Sequence, residues 1–172
     1  MQYPGSNWWA FDFHSHTPAS SDYNVQEINL TPRDWLLSYM RKQIDCVVIT
    51  DHNTGAWIDK LKDELNLMHS ENPQHPDFRN LTLFPGVELT TSDGIHIIAI
   101  YDPIEGTAKI ERLIGLAKYN NDRFNAQGIC NEGASTICDH IHSTGGLVVI
   151  AHAEEINGLF HGVIEQSGTF SP

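Results

Sequence analysis

The chain contains 172 residues, of which 40% are hydrophobic and 19% are charged, a composition typical of one soluble globular domain. Its 22 acidic and 10 basic residues give a net charge of −12, which argues against a broad basic surface for nucleic-acid backbones. It has no apolar stretch of the ~18 residues that a membrane helix needs, no signal-peptide pattern at its N-terminus and only three scattered cysteines, so we expect a cytoplasmic protein without a membrane partner.

The predicted elements alternate between short apolar strands and amphipathic helices. A first strand is predicted at residues 8–13, and the first helix begins with Thr31 as N-cap, Pro32 in the first turn and Asp34 near the positive end of the helix dipole. The later elements are strand 46–49, helix 56–68, strands 81–89 and 95–101, helices 107–119 and 134–142, and strand 147–150. This alternation predicts βαβ units in a mainly parallel sheet or barrel, with the chemistry at the carboxyl ends of the strands.

Histidine is unusually frequent, with ten residues, and several stand near predicted strand ends. His14 and His16 are two positions apart, so in an extended chain they point to the same side and can hold one cation. Further metal-type side chains stand at or near the ends of the next four strands: Asp51, His52, Glu88, His96 and His152. A lone strand histidine is usually a hydrogen-bonded core residue, but five strands with such residues are hard to explain by packing alone. The pattern predicts a polynuclear metal site.

The remaining histidines are interpreted as structural or surface residues. His140 and His142 lie two positions apart on a predicted helix and therefore face different directions. His69 and His75 flank a polar loop. His161 lies in a loop bounded by glycines, where both a site role and a surface role remain open.

Five segments resemble, in order, the motifs of the PHP (polymerase and histidinol phosphatase) superfamily: HSHTPASSD, ITDHN, FPGVELT, GIHIIAIYD and GGLVVIAHAE. The resemblance runs from about Trp9 to about His152. Finer features, including Trp8–Trp9 and an NGLF segment, resemble the N-terminal PHP domain of TrlF-like proteins, which precedes an ABC/SMC-like ATPase module. The resemblance implies an α/β fold, a distorted (β/α)7 barrel with two or three metal ions at its carboxyl-end mouth, and an ATPase module downstream or in trans.

The resemblance also implies roles for individual residues. His14 and His16 would bind the first metal ion, and Glu88 would bridge the first and the second. His96 and His152 would complete the second site, and Asp22 and His52 would bind the third ion. Without the resemblance, Asp22 would be interpreted as a turn residue or a helix-adjacent cap, whereas the resemblance favours a ligand. Asp51 would be a partner of the ligands or an added ligand. The groups expected to take part in catalysis are Glu88, His52, Asp51 and His152.

One part of the family pattern is missing. The family closes its site with a later Asp-x-His motif, and this sequence has none after His152. We therefore expect residues 1–172 to form a single PHP domain at the N-terminal end of a longer protein. The barrel would then be incomplete at its C-terminal end, and its closing ligands would lie beyond Pro172.

Mixed imidazole and carboxylate ligands suit zinc, manganese or iron better than magnesium or calcium. The expected chemistry is hydrolysis of a phosphate ester. Analogy with ATPase-linked proteins favours a phosphodiester in DNA or RNA, whereas the acidic charge favours a small phosphomonoester. A metal-stabilised structural or regulatory domain remains open. Amide hydrolysis is less favoured because no lysine ends a predicted strand, and the chain has no GxxxxGK[ST] phosphate loop.

Overall fold

The computed structural model describes residues 8–23, 29–154 and 159–160. They form a mixed α/β fold around one sheet, in which five strands lie side by side in chain order: β1 Phe11–Ser15, β2 Cys46–Ile49, β3 Thr82–Thr90, β4 His96–Ile100 and β5 Leu147–Ile150. Four helices connect them: α1 Pro32–Arg41, α2 Ile58–Ser70, α3 Thr107–Leu116 and α4 Ala134–Ser143. Among the described residues, no helix has both the length and the apolar character needed to span a membrane.

Helix α1 begins as the sequence predicts. The Thr31 side chain accepts a hydrogen bond from the Asp34 backbone, the Asp34 carboxylate accepts one from the Thr31 backbone, and Pro32 occupies the first turn. This reciprocal capping satisfies donors that the first turn of a helix leaves unpaired. The apolar face of α1, including Trp35 and Met40, is buried in the main core between the helices and the sheet. The same helix therefore covers one face of the sheet and fixes the chain that leads away from β1.

The sheet is only partly parallel, which corrects the prediction of a mainly parallel sheet. Strands β1, β2 and β3 are parallel, whereas β4 is antiparallel to both β3 and β5. The reason is the short connection between β3 and β4, residues 91–95, which turns at Gly94 with φ +79°. A parallel connection needs a crossover of a dozen or more residues. His96 consequently begins its strand rather than ending it, yet it pairs with Thr90 and stays at the carboxyl edge of β3.

The sheet is strongly curled. In a flat sheet the two edge strands, four intervals apart, would be separated by roughly 19 Å. Instead, the ring centroids of His14 on β1 and His152 after β5 lie 5.6 Å apart. The sheet is thus a half-barrel. The α/β class is confirmed, and the described residues contain five strands and four helices rather than seven βα units.

On the inner face of the half-barrel, side chains are apolar toward the amino end of β3 and polar toward its carboxyl end. Val48, Ile98 and Ile100 form a small inner cluster, with Phe84 packed against it. Glu88 follows Phe84 by four positions on β3 and therefore points to the same face. Close approach of the neighbouring strands is possible because residue 86 is glycine. A Cβ atom there would lie 2.6 Å from Val48 Cγ1 and 2.8 Å from the carbonyl oxygen of Ala99.

Candidate metal centre

Glu88 lies at the centre of a group of histidines and is almost completely buried. Its Oε2 atom lies 2.8 Å from His14 Nε2 and 3.3 Å from His16 Nε2. Its Oε1 atom lies 2.8 Å from His96 Nδ1 and 3.1 Å from His152 Nε2. One carboxylate thus contacts imidazoles that come from both edges of the half-barrel and from the neighbouring strand.

A second set of side chains adjoins the first. Asp22 Oδ1 lies 3.4 Å from His16 Nδ1, and Asp22 Oδ2 lies 3.4 Å from His52 Nε2. His52 Nε2 is also 3.5 Å from Glu88 Oε2, which joins the two sets. We call them the Glu88 group (His14, Glu88 and His152) and the Asp22 group (His16, Asp22 and His52). Within each group the possible ligand atoms all lie within 4.8 Å of one another.

The end of β1 is locked to the end of β2, which fixes the two histidines that flank Ser15. The Ser15 backbone N–H donates to Thr50 Oγ1 at 2.9 Å, and the Thr50 N–H donates to the Ser15 carbonyl at 2.8 Å. As their spacing predicts, His14 and His16 point the same way, with their Nε2 atoms 3.0 Å apart. The local sequence therefore delivers two imidazoles to one point.

The charges of this cluster are strongly coupled. Burial alone would raise the pKa of Glu88, but hydrogen bonds from His14, His16 and His96 hold it far below its ordinary range. Burial lowers the pKa of His16, yet the carboxylates of Asp22 and Glu88 overcome this and raise it to about 10. Hydrogen bonds from His16 and His52 hold the pKa of Asp22 well below its ordinary range. The centre therefore stabilises positive charge placed between its carboxylates.

The donor set fits divalent metal ions. Three atoms, His14 Nε2, His16 Nε2 and Glu88 Oε2, lie within 3.3 Å of one another, and a proton can be shared by only two of them. A divalent cation accepts nitrogen and carboxylate ligands together, at about 2.0–2.2 Å from each. Among the described residues, the buried His52 Nδ1 atom has no hydrogen-bond partner.

Comparison with known proteins relates this architecture to two kinds of enzyme. No protein-family profile matches the chain. One structure, put forward as a metal-dependent phosphoesterase from Bifidobacterium adolescentis, matches 86% of the chain and 68% of its own length, with a TM-score of 0.57 and 16% identity. The lesion-specific endonuclease Q of Pyrococcus furiosus matches 87% of the chain with a TM-score of 0.60 and 18% identity. The chain shares the fold of these proteins.

The matched proteins are mostly longer than this chain. An endonuclease Q complex with a 27-mer duplex substrate, carrying an abasic lesion at the active site, has a TM-score of 0.56, 16% identity and a match to 85% of the chain. The chain spans 36% and 35% of the two endonuclease Q chains. A curated protein of Streptococcus pneumoniae serotype 4, itself uncharacterised, is 35% identical over 66 residues, which are 37% of this chain and 24% of that protein.

Of the residues predicted for the site, seven lie together and Asp51 lies behind them. Asp51 is fully buried, and its two oxygens accept hydrogen bonds from the Thr17 N–H and Thr17 Oγ1, each at 2.6 Å. Burial raises the pKa of Asp51 to about 6, against the effect of these bonds. Asp51 belongs to neither group among the described residues, and it ties the end of β2 to the residue that follows His16.

Sequence reasoning missed the hydroxyl residues that contact the candidate ligands. Ser20 Oγ lies 3.1 Å from His16 Nδ1 and accepts a hydrogen bond from the His52 N–H at 3.1 Å. Thr90 Oγ1 lies 3.2 Å from His96 Nε2. Small hydroxyl residues are common in loops, so the sequence carries no signal that separates these from their neighbours.

The other histidines lie elsewhere. Within the described ranges, His69, His75, His140 and His142 belong to neither group. His161 lies outside the described residues. His69 and His142 are exposed, as a surface role predicts, whereas His75 and His140 are partly buried.

Proposed function

We propose that the chain is a PHP-type, metal-dependent phosphoesterase domain that hydrolyses a phosphodiester through two or three divalent metal ions. The observation that carries the proposal is the single carboxylate of Glu88. It contacts His14 and His152 of its own group and also His16 and His52 of the Asp22 group. A shared carboxylate at this point would hold two cations at a fixed spacing. The fold shared with an endonuclease supports the choice of a phosphodiester.

The residues that would hold the metal ions are those of the two groups together with His96. The bound ions would polarise a phosphate oxygen and lower the pKa of a water molecule toward neutrality. The exposure of these side chains indicates the side from which a phosphate would approach the metal centre. Those of His14, His152 and Asp22 are 32%, 28% and 43% exposed, whereas that of Glu88 is 1% exposed. A phosphate would therefore meet His14, His152 and Asp22 first, with Glu88 beneath them.

A phosphodiester is favoured over a phosphomonoester because of the charges around the site. A terminal phosphate carries more negative charge and is commonly bound by arginine or lysine. Among the described residues, the hydrogen-bond partners of the two groups include the Ser20 hydroxyl, the Asp12 carboxylate and the Trp35 indole but no arginine or lysine. Arg123 comes near, but it donates to the backbone carbonyl of Asn53, next to His52. The opposite choice, a small phosphomonoester, is favoured by the net charge of −12.

The ATPase module remains a prediction of the sequence resemblance. We propose that such a module, in the same chain or as a partner, would supply the grip on DNA or RNA that this acidic domain lacks. Cleavage of a long nucleic acid would then require that module and ATP, whereas hydrolysis of a small diester by this domain would not.

Two measurements test the proposal. Elemental analysis of the purified chain should find two or three equivalents of manganese, iron or zinc, and a His14→Ala/His16→Ala double variant should lose most of them. With the metal present, the chain should hydrolyse bis-p-nitrophenyl phosphate faster than p-nitrophenyl phosphate. Metal content near zero would instead indicate a structural or regulatory domain, and faster hydrolysis of the monoester would make it a phosphomonoesterase.

A further inference from the structure

The connection between α3 and α4 lies against the metal centre. We call residues 119–132 the rim loop. The Ser21 N–H donates to the carbonyl oxygen of Phe124 at 2.9 Å, and the Ala126 N–H donates to Ser21 Oγ at 2.9 Å. Ser21 directly precedes Asp22 of the Asp22 group. The rim loop is therefore bonded to the segment that carries one candidate ligand.

The rim loop is also bonded to the segment that carries His52. Asn53, the next residue, donates from Nδ2 to the carbonyl oxygen of Asn125 at 2.9 Å. Arg123 returns a hydrogen bond to the Asn53 carbonyl oxygen at 3.1 Å and forms an ion pair with Glu111 at 2.9 Å. Because adjacent Cα atoms are about 3.8 Å apart, these bonds place Phe124 within roughly 10 Å of the Asp22 carboxylate.

Phe124 has two features that folding alone does not favour. Its backbone has φ +72°, a conformation that glycine or asparagine adopts readily and a bulky side chain does not. Phe124 is also 44% exposed to solvent, although its side chain is large and apolar. A strained, exposed aromatic residue held by hydrogen bonds on both sides is a good candidate for contact with a ligand.

We propose that the rim loop is a nucleotide-binding lip, in which the Phe124 ring stacks on a base next to the phosphate at the metal centre. This inference rests on the proposed function, because it assumes a nucleic-acid substrate. Stacking suits this chain because it does not depend on positive charge, which a protein of net charge −12 lacks. The base would belong to an unpaired strand, since a base within a duplex does not expose its face.

The test compares variants of Phe124 in binding to a short fluorescein-labelled single strand of DNA. Fluorescence anisotropy is measured with manganese present, on a phosphorothioate strand that resists hydrolysis, at about 0.15 M salt, where repulsion between DNA and the acidic chain is screened. Phe124→Ala should weaken binding at least about fivefold, and Phe124→Tyr, which keeps the ring, should stay within about twofold of the wild type. The matched control is Ile104→Ala, which removes an apolar side chain that is 87% exposed, beyond the opposite end of β4.

The variant Phe124→Gly separates the effect of losing the ring from the effect of the backbone strain. This variant should bind DNA as weakly as Phe124→Ala but melt at a higher temperature than Phe124→Ala, because glycine tolerates the positive φ. Metal content, measured by elemental analysis, should be unchanged in all Phe124 variants, since the ring is not a candidate ligand. Absence of detectable DNA binding by the wild type, equal DNA affinity of Phe124→Ala and wild type, or loss of metal in parallel with binding would overturn the lip. Failure of the wild type to hydrolyse the small diester would overturn the proposed function instead.

Discussion

Glu88 Oε2 lies 2.8 Å from His14 Nε2, although the two residues are 74 positions apart in the chain. His14 comes from the edge strand β1 and Glu88 from the central strand β3. Their contact depends on the curl of the sheet, because in a flat sheet the two strands would be about 10 Å apart. The geometry of the candidate metal centre is thus a property of the whole half-barrel rather than of one motif.

Replacement of Glu88 by glutamine should remove catalysis while leaving the fold largely intact. The substitution keeps the volume of the side chain but removes the negative charge that the surrounding imidazoles contact. We expect at least about a hundredfold loss of diester hydrolysis and a lower metal content, because ligand and charge are lost together. Steady-state kinetics, elemental analysis and circular dichroism check this. The matched control is His142→Ala, an exposed histidine on α4; unchanged turnover in Glu88→Gln would refute a shared carboxylate.

Removal of metal should lower thermal stability. A cation that binds only the folded chain at about 100 times its Kd stabilises it by about 2.7 kcal/mol, which corresponds to roughly 5–10 °C in a chain of this length. Differential scanning fluorimetry with and without EDTA measures the shift. The His14→Ala/His16→Ala variant should show little shift on addition of manganese. A full shift in that variant would mean that the metal binds elsewhere.

The metal-free protein should become less stable as the pH rises above neutrality. The pKa of His16 is raised to about 10 in the folded chain from an ordinary value of 6.5. A raised pKa means that the folded state holds its proton more tightly, so the stabilisation is complete below pH 6.5 and is lost as the pH rises toward 10. Melting temperatures in EDTA between pH 6 and pH 10 test this. The variant His16→Asn, which cannot take up the proton, should show a flatter profile.

Replacement of Asp51 by asparagine distinguishes a positioning role from a catalytic one. Asparagine keeps one acceptor oxygen, so one of the two donors of Thr17 loses its partner. A buried unpaired donor costs about 1–3 kcal/mol, and the loop after His16 should loosen. If Asp51 only positions that loop, metal affinity falls but kcat at saturating metal stays near that of the wild type. A large loss of kcat at saturating metal would instead support the prediction that Asp51 is catalytic.

Local signals in the sequence predicted several elements well. The continuous apolar runs gave the bounds of β2 and β5 as the structure has them, and Thr31 marked the start of α1. The prediction of a mainly parallel sheet was wrong for β4. The alternation of strands with helices favoured parallel strands, whereas the short connection at Gly94 joins two antiparallel ones. That connection length was the signal that favoured a hairpin.

The site residues also fall into those that the local sequence predicts and those that it does not. Residues of metal-binding type at strand ends could be predicted, since the carboxyl edge of a parallel sheet collects them. The contacts of Asp51 with Thr17 and of Asn53 with the rim loop could not, because they join segments distant in sequence. The positive φ of Phe124, which lies inside a turn from Asp122 to Asn125, could not be predicted either, because phenylalanine rarely adopts it.

The absence of a side chain at Gly86 affects the spacing of two imidazoles in the candidate metal centre. The empty volume at this residue lets β2 and β4 close around β3, two positions before Glu88. His52 follows β2 and His96 begins β4, and their ring centroids lie 5.8 Å apart across that strand. A methyl group added at residue 86 would therefore push the strands apart and increase the distance between the two imidazoles. The distance between these two imidazoles therefore depends on the packing of three strands around one glycine, and not only on the histidines themselves.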